Sequence, residues 1–197
     1  MLPTALEKGL WERGLLIAGI DEVGRGCLAG PVVAAAVILV PNATLDLVDD
    51  SKRLSPKQRE RCFTLIQKQA KAIGIGLSSA EEIDEMNILK ASLLAMKRAV
   101  KGLKIRPDYL LIDGPYGIDI EISQVPIKHG DKKVLSIAAA SVVAKVVRDQ
   151  LMHSYSLLFP SYGFSKNKGY PTQGHRKAIL RFGPCYLHRL SFKLKKY

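Results

Sequence analysis

Leu16-Ile17-Ala18-Gly19-Ile20-Asp21-Glu22-Val23-Gly24-Arg25-Gly26 is an apolar run that meets two adjacent carboxylates and then a Gly-Arg-Gly turn. Leu15 to Ile20 read as a short buried strand. A buried strand that ends in Asp21 and Glu22 presses two negative charges together where the chain leaves the core. Such charges destabilise each other unless a cation or a shared proton offsets the repulsion. The stretch therefore predicts the base of a divalent-cation site.

Downstream, Gly30-Pro31 leads into the apolar run Val32 to Val40, which stops at Pro41-Asn42. This is a second strand, antiparallel to the first because the connection is too short for a crossover. Ser55-Pro56 caps a helix expected to run to about Ala70, and Ala72 to Leu77 reads as a third strand. Ser79 with Glu82 forms a capping box that opens a helical region lasting to about Lys101, where Gly102 stops it. Tyr109 to Asp113 is again an apolar strand ending in a carboxylate. The preceding helix allows it to run parallel to the first strand through a crossover, which would bring Asp113 to the same sheet edge as Asp21. Glu121 to Lys128, a fifth strand, delivers His129-Gly130-Asp131. Ser136 to Phe159 reads as a long helix stopped by Pro160, with Ser141, Lys145 and Arg148 on one face. Thr172 caps a last helix ending near Gly183, and Leu190 to Tyr197 form a basic tail.

With 197 residues, 47% of them hydrophobic, the chain is expected to form a single domain over 1–197. No apolar run suggests a membrane span and no signal-like segment is read at the start, so a cytoplasmic protein is expected. Cys27, Cys62 and Cys185 have no paired spacing and read as buried thiols. The net charge of +12 is unevenly placed: residues 1–125 hold 16 basic and 16 acidic side chains, and residues 126–197 hold 14 and 2. The C-terminal part, from about residue 136, thus has the electrostatic footprint of a nucleic-acid binder.

Asp21, Glu22, Asp113 and Asp131 each end a strand or sit in a glycine-flanked loop. Magnesium and similar hard cations take oxygen ligands, and two-metal phosphoryl chemistry needs several converging carboxylates. Singly, Asp113-Gly114-Pro115 is also good turn chemistry and Asp131 can pair with a neighbouring lysine. A competing reading, the dinucleotide pattern in Gly24-Arg25-Gly26-Cys27-Leu28-Ala29, fails on context: its glycines lead to a strand, and two acids before them would repel a pyrophosphate.

The segments Ala18 to Gly26, Gly30-Pro31-Val32, Asp50-Ser51-Lys52, Leu111 to Gly114, Gly130-Asp131, Ser136 to Ser141, Ala144-Lys145 and Lys168 to Thr172 together closely resemble bacterial ribonuclease HII, in that order. The resemblance implies a ribonuclease H-like α/β fold, with a mixed five-stranded sheet flanked by helices and a helical C-terminal part. It implies cleavage of RNA in RNA/DNA hybrids and of single ribonucleotides in duplex DNA, with magnesium or manganese. The family's four metal-binding acids fall on Asp21, Glu22, Asp113 and Asp131, its Gly-Arg-Gly element on Gly24, Arg25 and Gly26, and its junction-sensing tyrosine on Tyr170. Lys52, Ser141, Lys145, Arg148 and Lys168 are candidate phosphate contacts. The four histidines have no ligand spacing for an oxygen-rich site, and Asp149 either supports the site from behind its ligands or, on the plainer reading, is a helix-surface acid. Ribonuclease HIII resembles the chain less, since it carries a different turn in place of Gly-Arg-Gly. A non-catalytic hybrid-binding module is the alternative, disfavoured by four acids facing phosphates. No protein partner is legible, and a monomer is expected.

Overall fold

The structure is a computed structural model that describes residues 1, 3–45 and 54–193. Its centre is β2 (Val32–Leu39), whose eight positions are all buried. A continuous apolar strand is what a sheet covered on both faces requires. β2 lies between β1 (Ile17–Val23) and β3 (Ala70–Ser78), antiparallel to both. Beyond β1 come β4 (Tyr109–Asp113) and β5 (Ser123–Ile127), each parallel to its neighbour, so the five-stranded sheet is mixed with order β3-β2-β1-β4-β5.

Alternate residues of β2 feed two cores. Ala34, Ala36 and Ile38 pack with Ala91, Ala95 and Ala99 of helix α4 (Ile88–Lys101). Ala35, Val37 and Leu39 pack on the other face with Ala139, Val142 and Val143 of α5 (Leu135–Leu158), which α2 (Pro56–Gln69) flanks. α5 lies directly on β1: a Cβ built on Gly19 would sit 2.1 Å from the carbonyl carbon of Ser136. Only glycine permits that approach, and the approach sets Ser141 and Lys145 over the end of β1.

α1 (Ala5–Glu12) is an element that the sequence reading did not anticipate. Its capping box, Thr4 with Glu7, has a second use. α5 begins after Val134, whose side chain cannot cap. Fully buried Glu7 reaches across instead, accepting from the N–H groups of Ser136 at 2.8 Å and Leu135 at 3.2 Å. A carboxylate there satisfies orphan donors and complements the positive end of the helix dipole.

Three other boundaries differ from expectation. β1 does not stop at Ile20 but continues through both acids to Val23, because β2 still pairs with Asp21, Glu22 and Val23. The helical region after Ser79 breaks into α3 (Ala80–Met86) and α4 at Asn87, which takes a φ of 74° and whose side chain accepts from Leu89 and Lys90 N–H. β5 is shorter than read, with Pro126 on the sheet's edge strand, where a missing donor is tolerated. Cys27 and Cys62 are buried as expected, whereas Cys185 is only half-buried.

The C-terminal part contains the one-turn α6 (Phe164–Asn167) and α7 (Gln173–Phe182). It packs on the loop after β1 rather than on the sheet: Leu28 and Ala29 share a cluster with Met152, Phe164, Ile179 and Leu187. Among the described residues no helix is long and apolar enough to cross a membrane.

Candidate active site

Pairing between the parallel strands β1 and β4 ends at Ile20 opposite Ile112, so the next residues, Asp21 and Asp113, stand side by side where the strands part. Carboxylate oxygens of Asp21, Glu22 and Asp113 all lie within 4.8 Å of one another. Asp21 Oδ1 accepts from Glu22 N–H at 2.7 Å, and the Ser141 hydroxyl donates to the same carboxylate. Asp113 Oδ1 accepts from Gly130 N–H at 2.7 Å, an anchor built by the turn that follows β5. Arg25 Nη1 lies 3.3 Å from Glu22 Oε1, but Glu22 Oε2 is buried with no hydrogen-bond partner among the described residues.

The electrostatics follow from this crowding. Burial first, then the charges of Glu22 and Asp113, pushes the Asp21 carboxyl well above the usual range. Burial likewise raises Glu22, although Arg25 opposes it. An orphaned buried oxygen among three crowded carboxylates is what a hard cation would relieve, and an all-oxygen donor set suits magnesium or manganese.

These acids belong to a cleft of about 260 Å³ that is also lined by Gly24-Arg25-Gly26, Ser141, Lys145 and Tyr170, and the Tyr170 side chain hydrogen-bonds that of Cys27, next to Gly26. The two glycines differ in purpose. Gly24 has a φ of +97°, and a Cβ on it would lie 2.3 Å from Arg148 Nε, so both backbone and packing demand glycine. A Cβ on Gly26 meets nothing within 4 Å, so its bare backbone faces open space. Tyr170 is 37% exposed, with Lys145 Nζ 5.7 Å from its ring centroid. Lys145 is steadied by Asp149 at 2.7 Å, and Asp149 also meets Arg59 at 3.5 Å, so this acid is part of the framework rather than a solvated surface group.

Several candidates stand elsewhere than expected. Arg148 is fully buried and is not a phosphate contact: it donates to the carbonyls of Pro31, Ala29 and Lys168 at 3.0, 3.1 and 2.8 Å. It shares a helix face with Lys145, but it lies deeper, where the loop after β1 covers α5. Lys168 turns away from the cleft toward the Asp149 carbonyl, 3.4 Å away, in a neighbouring groove with Arg59 and Lys166. Asp131 is buried beside the site, its N–H 3.4 Å from Asp113 Oδ1, yet its carboxylate is not part of the tight group of three. Lys52 lies outside the described residues.

Arg189 was not anticipated. Also fully buried, it donates to the carbonyls of Gly30 and Arg25, the latter at 2.8 Å. Its partners are 159 and 164 residues away in sequence, so no local spacing signals the contact. Burial, with the like charge of Arg148 beside it, drives its pKa down to about 10.

The chain matches the family described as Ribonuclease HII over residues 18–195. It is 53% identical to the ribonuclease HII of Syntrophotalea carbinolica over 192 residues, 97% of this chain and 92% of that one. It is 56% identical to that of Geotalea uraniireducens over 182 residues, 92% and 84% of the two chains. Among solved structures it is similar to the ribonuclease HII of Archaeoglobus fulgidus, determined as a complex with PCNA, with a TM-score of 0.75 at 26% identity over 93% of this chain and 98% of that one. A mixed sheet whose parallel strands part over three crowded carboxylates is thus accompanied by family likeness along nearly the whole length, and the chain belongs to the ribonuclease HII family of endoribonucleases acting on RNA/DNA hybrids.

Proposed function

We propose that, besides RNA in hybrids, the chain nicks duplex DNA on the 5′ side of single embedded ribonucleotides, leaving 3′-hydroxyl and 5′-phosphate ends. Asp21, Glu22 and Asp113, with Asp131 alongside, would hold magnesium or manganese as a two-metal site. Metal bound there supplies Lewis-acid chemistry, making water nucleophilic near neutral pH and neutralising charge at the phosphate. Ser141 orients Asp21 by donating to its carboxylate. Lys145, fixed by Asp149, presents its ammonium to the phosphate backbone without reading sequence.

Ribose must be distinguished by its 2′-hydroxyl, which both donates and accepts. The backbone of Gly24-Arg25-Gly26, open at Gly26, offers peptide groups to it. Tyr170, in the same cleft, stacks on the following deoxyribose, where a hydroxyl would obstruct the ring. The basic C-terminal part carries the duplex, and the chain acts as a monomer. One observation carries this reading: the three crowded acids, the glycine turn and the tyrosine line one cleft.

The test is incubation with an end-labelled DNA duplex containing one ribonucleotide, with magnesium, with manganese and with chelator. Metal-dependent nicking 5′ to the ribonucleotide is expected. Cleavage of a continuous hybrid alone, or cleavage that survives the chelator, would overturn the proposal.

A further inference from the structure

Two buried histidines meet next to the main chain of Tyr170. His175 Nε2 and His188 Nε2 are 3.1 Å apart, and neither ring reaches solvent. The contact belongs to a chain with two backbone ends, each able to act in one sense only. At one end Cys185 N–H points at His188 Nδ1 from 2.9 Å. At the other, His175 Nδ1 lies 2.9 Å from the Tyr170 carbonyl oxygen, which also takes Thr172 N–H at 2.8 Å.

The two ends fix every proton between them. An amide N–H donates, so His188 Nδ1 is bare and its proton sits on Nε2. That proton is given to His175 Nε2, which is therefore bare, and the His175 proton sits on Nδ1 and is given to the Tyr170 carbonyl. The Cys185 carbonyl, which accepts His188 N–H at 2.9 Å and lies 3.2 Å from His188 Nδ1, could take a proton from that nitrogen only in the tautomer that leaves His175 Nδ1 bare against the Tyr170 carbonyl. The opposite tautomers would set bare nitrogen against carbonyl oxygen at Tyr170 and N–H against N–H at Cys185. A charged ring is disfavoured as well, since an added proton on His188 Nδ1 meets Cys185 N–H at 2.9 Å with only the Cys185 carbonyl, 3.2 Å away, to accept it, and one on His175 meets His188 Nε2–H.

We propose that His175 and His188 are positioning residues for Tyr170: their directed hydrogen-bond chain sets the tyrosine's main chain, and so the placement of its ring in the cleft, while both rings are neutral. This rests on the reading of Tyr170 as a sugar contact. The groups around the pair leave the neutral state undisturbed. Phe164 is apolar, with its ring 5.4 Å from His175 and 5.8 Å from His188. Tyr162, 4.9 Å from His188, turns its hydroxyl to the Gly183 carbonyl, and the Cys185 thiol, an uncharged group, lies 3.2 Å from His188 Nδ1. Among the described residues the side-chain charge that bears on His175 is cationic, that of Arg176; Arg189, next to His188 in the chain, has its guanidinium turned to Gly30 and Arg25. Burial holds both rings below their ordinary value, His188 down to about 4.

The test is a double-mutant cycle on the single-ribonucleotide duplex with His175→Leu, His175→Asn and Tyr170→Ala. His175→Leu is expected to lower kcat/KM about tenfold, as a sub-ångström misplacement would. His175→Asn, whose amide nitrogen overlays Nδ1, should restore most of it, and His175→Leu should cost nothing further in the Tyr170→Ala enzyme. Equal losses with and without Tyr170, or an Asn variant no better than Leu, would overturn the proposal. Ring ¹⁵N shifts at neutral pH should report Nδ1–H for His175 and Nε2–H for His188; reversed tautomers would also overturn it. A Tyr170→Ala enzyme that cuts normally would refute the sugar contact itself and with it the functional consequence of the histidines, a result distinct from failed coupling.

Discussion

Glu7 offers the sharpest quantitative test of how the long helix is held. Its carboxylate accepts from Leu135 and Ser136 N–H at the start of α5 and from the Thr4 N–H and hydroxyl at 2.9 and 3.1 Å. In Glu7→Ala both helix amides are left buried without a partner, at about 1–3 kcal/mol each. Loss of the negative charge at the helix N-terminus adds up to about 2 kcal/mol in a buried setting. The expected cost is thus about 4 kcal/mol, a large share of the roughly 5–15 kcal/mol typical of a folded domain. Glu7→Gln keeps one acceptor oxygen but turns an amide NH₂ toward N–H donors, so about half the loss, ~2 kcal/mol, is expected. Equilibrium urea unfolding measures both, with the midpoint moving at constant slope, and hydrogen exchange should find the Leu135 and Ser136 amides deprotected. An Ala variant within about 1 kcal/mol of wild type, or a Gln variant as damaged as Ala, would refute the cross-chain cap.

Asp113→Asn keeps an oxygen for Gly130 N–H while removing one of the charges that press on Asp21; cleavage should be abolished while the metal-free protein melts no lower, and by relief of repulsion up to a few degrees higher. A fall in melting temperature would contradict the crowding. Gly24→Ala must displace Arg148 and hold alanine at a φ of +97°; it should cost about 2–3 kcal/mol in thermal unfolding and reduce activity on any substrate, whereas Gly26→Ala should leave stability unchanged. For pH the sign follows from depressed histidines: the unfolded chain takes up the proton first, so their contribution is full above pH about 6.5 and is lost as pH falls toward the His188 value of about 4. At about 1.4 kcal/mol per pH unit the His188 share is at most ~3 kcal/mol. The raised carboxyls of Asp21 and Glu22 work in the opposite sense at the acid end, since the folded state keeps their protons. NMR titration of the His188 ring, with a midpoint near 4 expected, separates the two; a midpoint above 6 would remove the histidine contribution.

Elements defined by their own residues were legible. The apolar run of β2, the caps at Ser55 and Thr172, and the capping box at Ser79 each declare themselves within a few positions, and the structure keeps all of them. The meeting of Asp21 with Asp113 was legible too, because parallel strands joined by a crossover end at the same edge. What escaped was held by partners far along the chain. Neither α1 nor any role for Glu7 was anticipated, since the acid's partners at the start of α5 lie 128 and 129 residues along the chain. Arg148 and Lys145 share a helix face, yet one is sunk beneath a loop that periodicity cannot place. Asn87 was misjudged for a different reason: the apolar period runs through it, while its side chain competes locally for backbone N–H groups and splits the helix.

The two buried guanidiniums of Arg148 and Arg189 grip carbonyls of Arg25, Ala29, Gly30, Pro31 and Lys168, and Leu28 N–H meets the Gly169 carbonyl at 2.8 Å. The glycine turn and the segment that carries Tyr170 therefore belong to one welded piece, and the cleft they line behaves as a gauge rather than a clasp. A gauge does not yield to its workpiece. A sugar step of the wrong width would have to distort the nucleic acid itself to fit, and the energy of that distortion would fall on the substrate, where sequence and sugar pucker set its size.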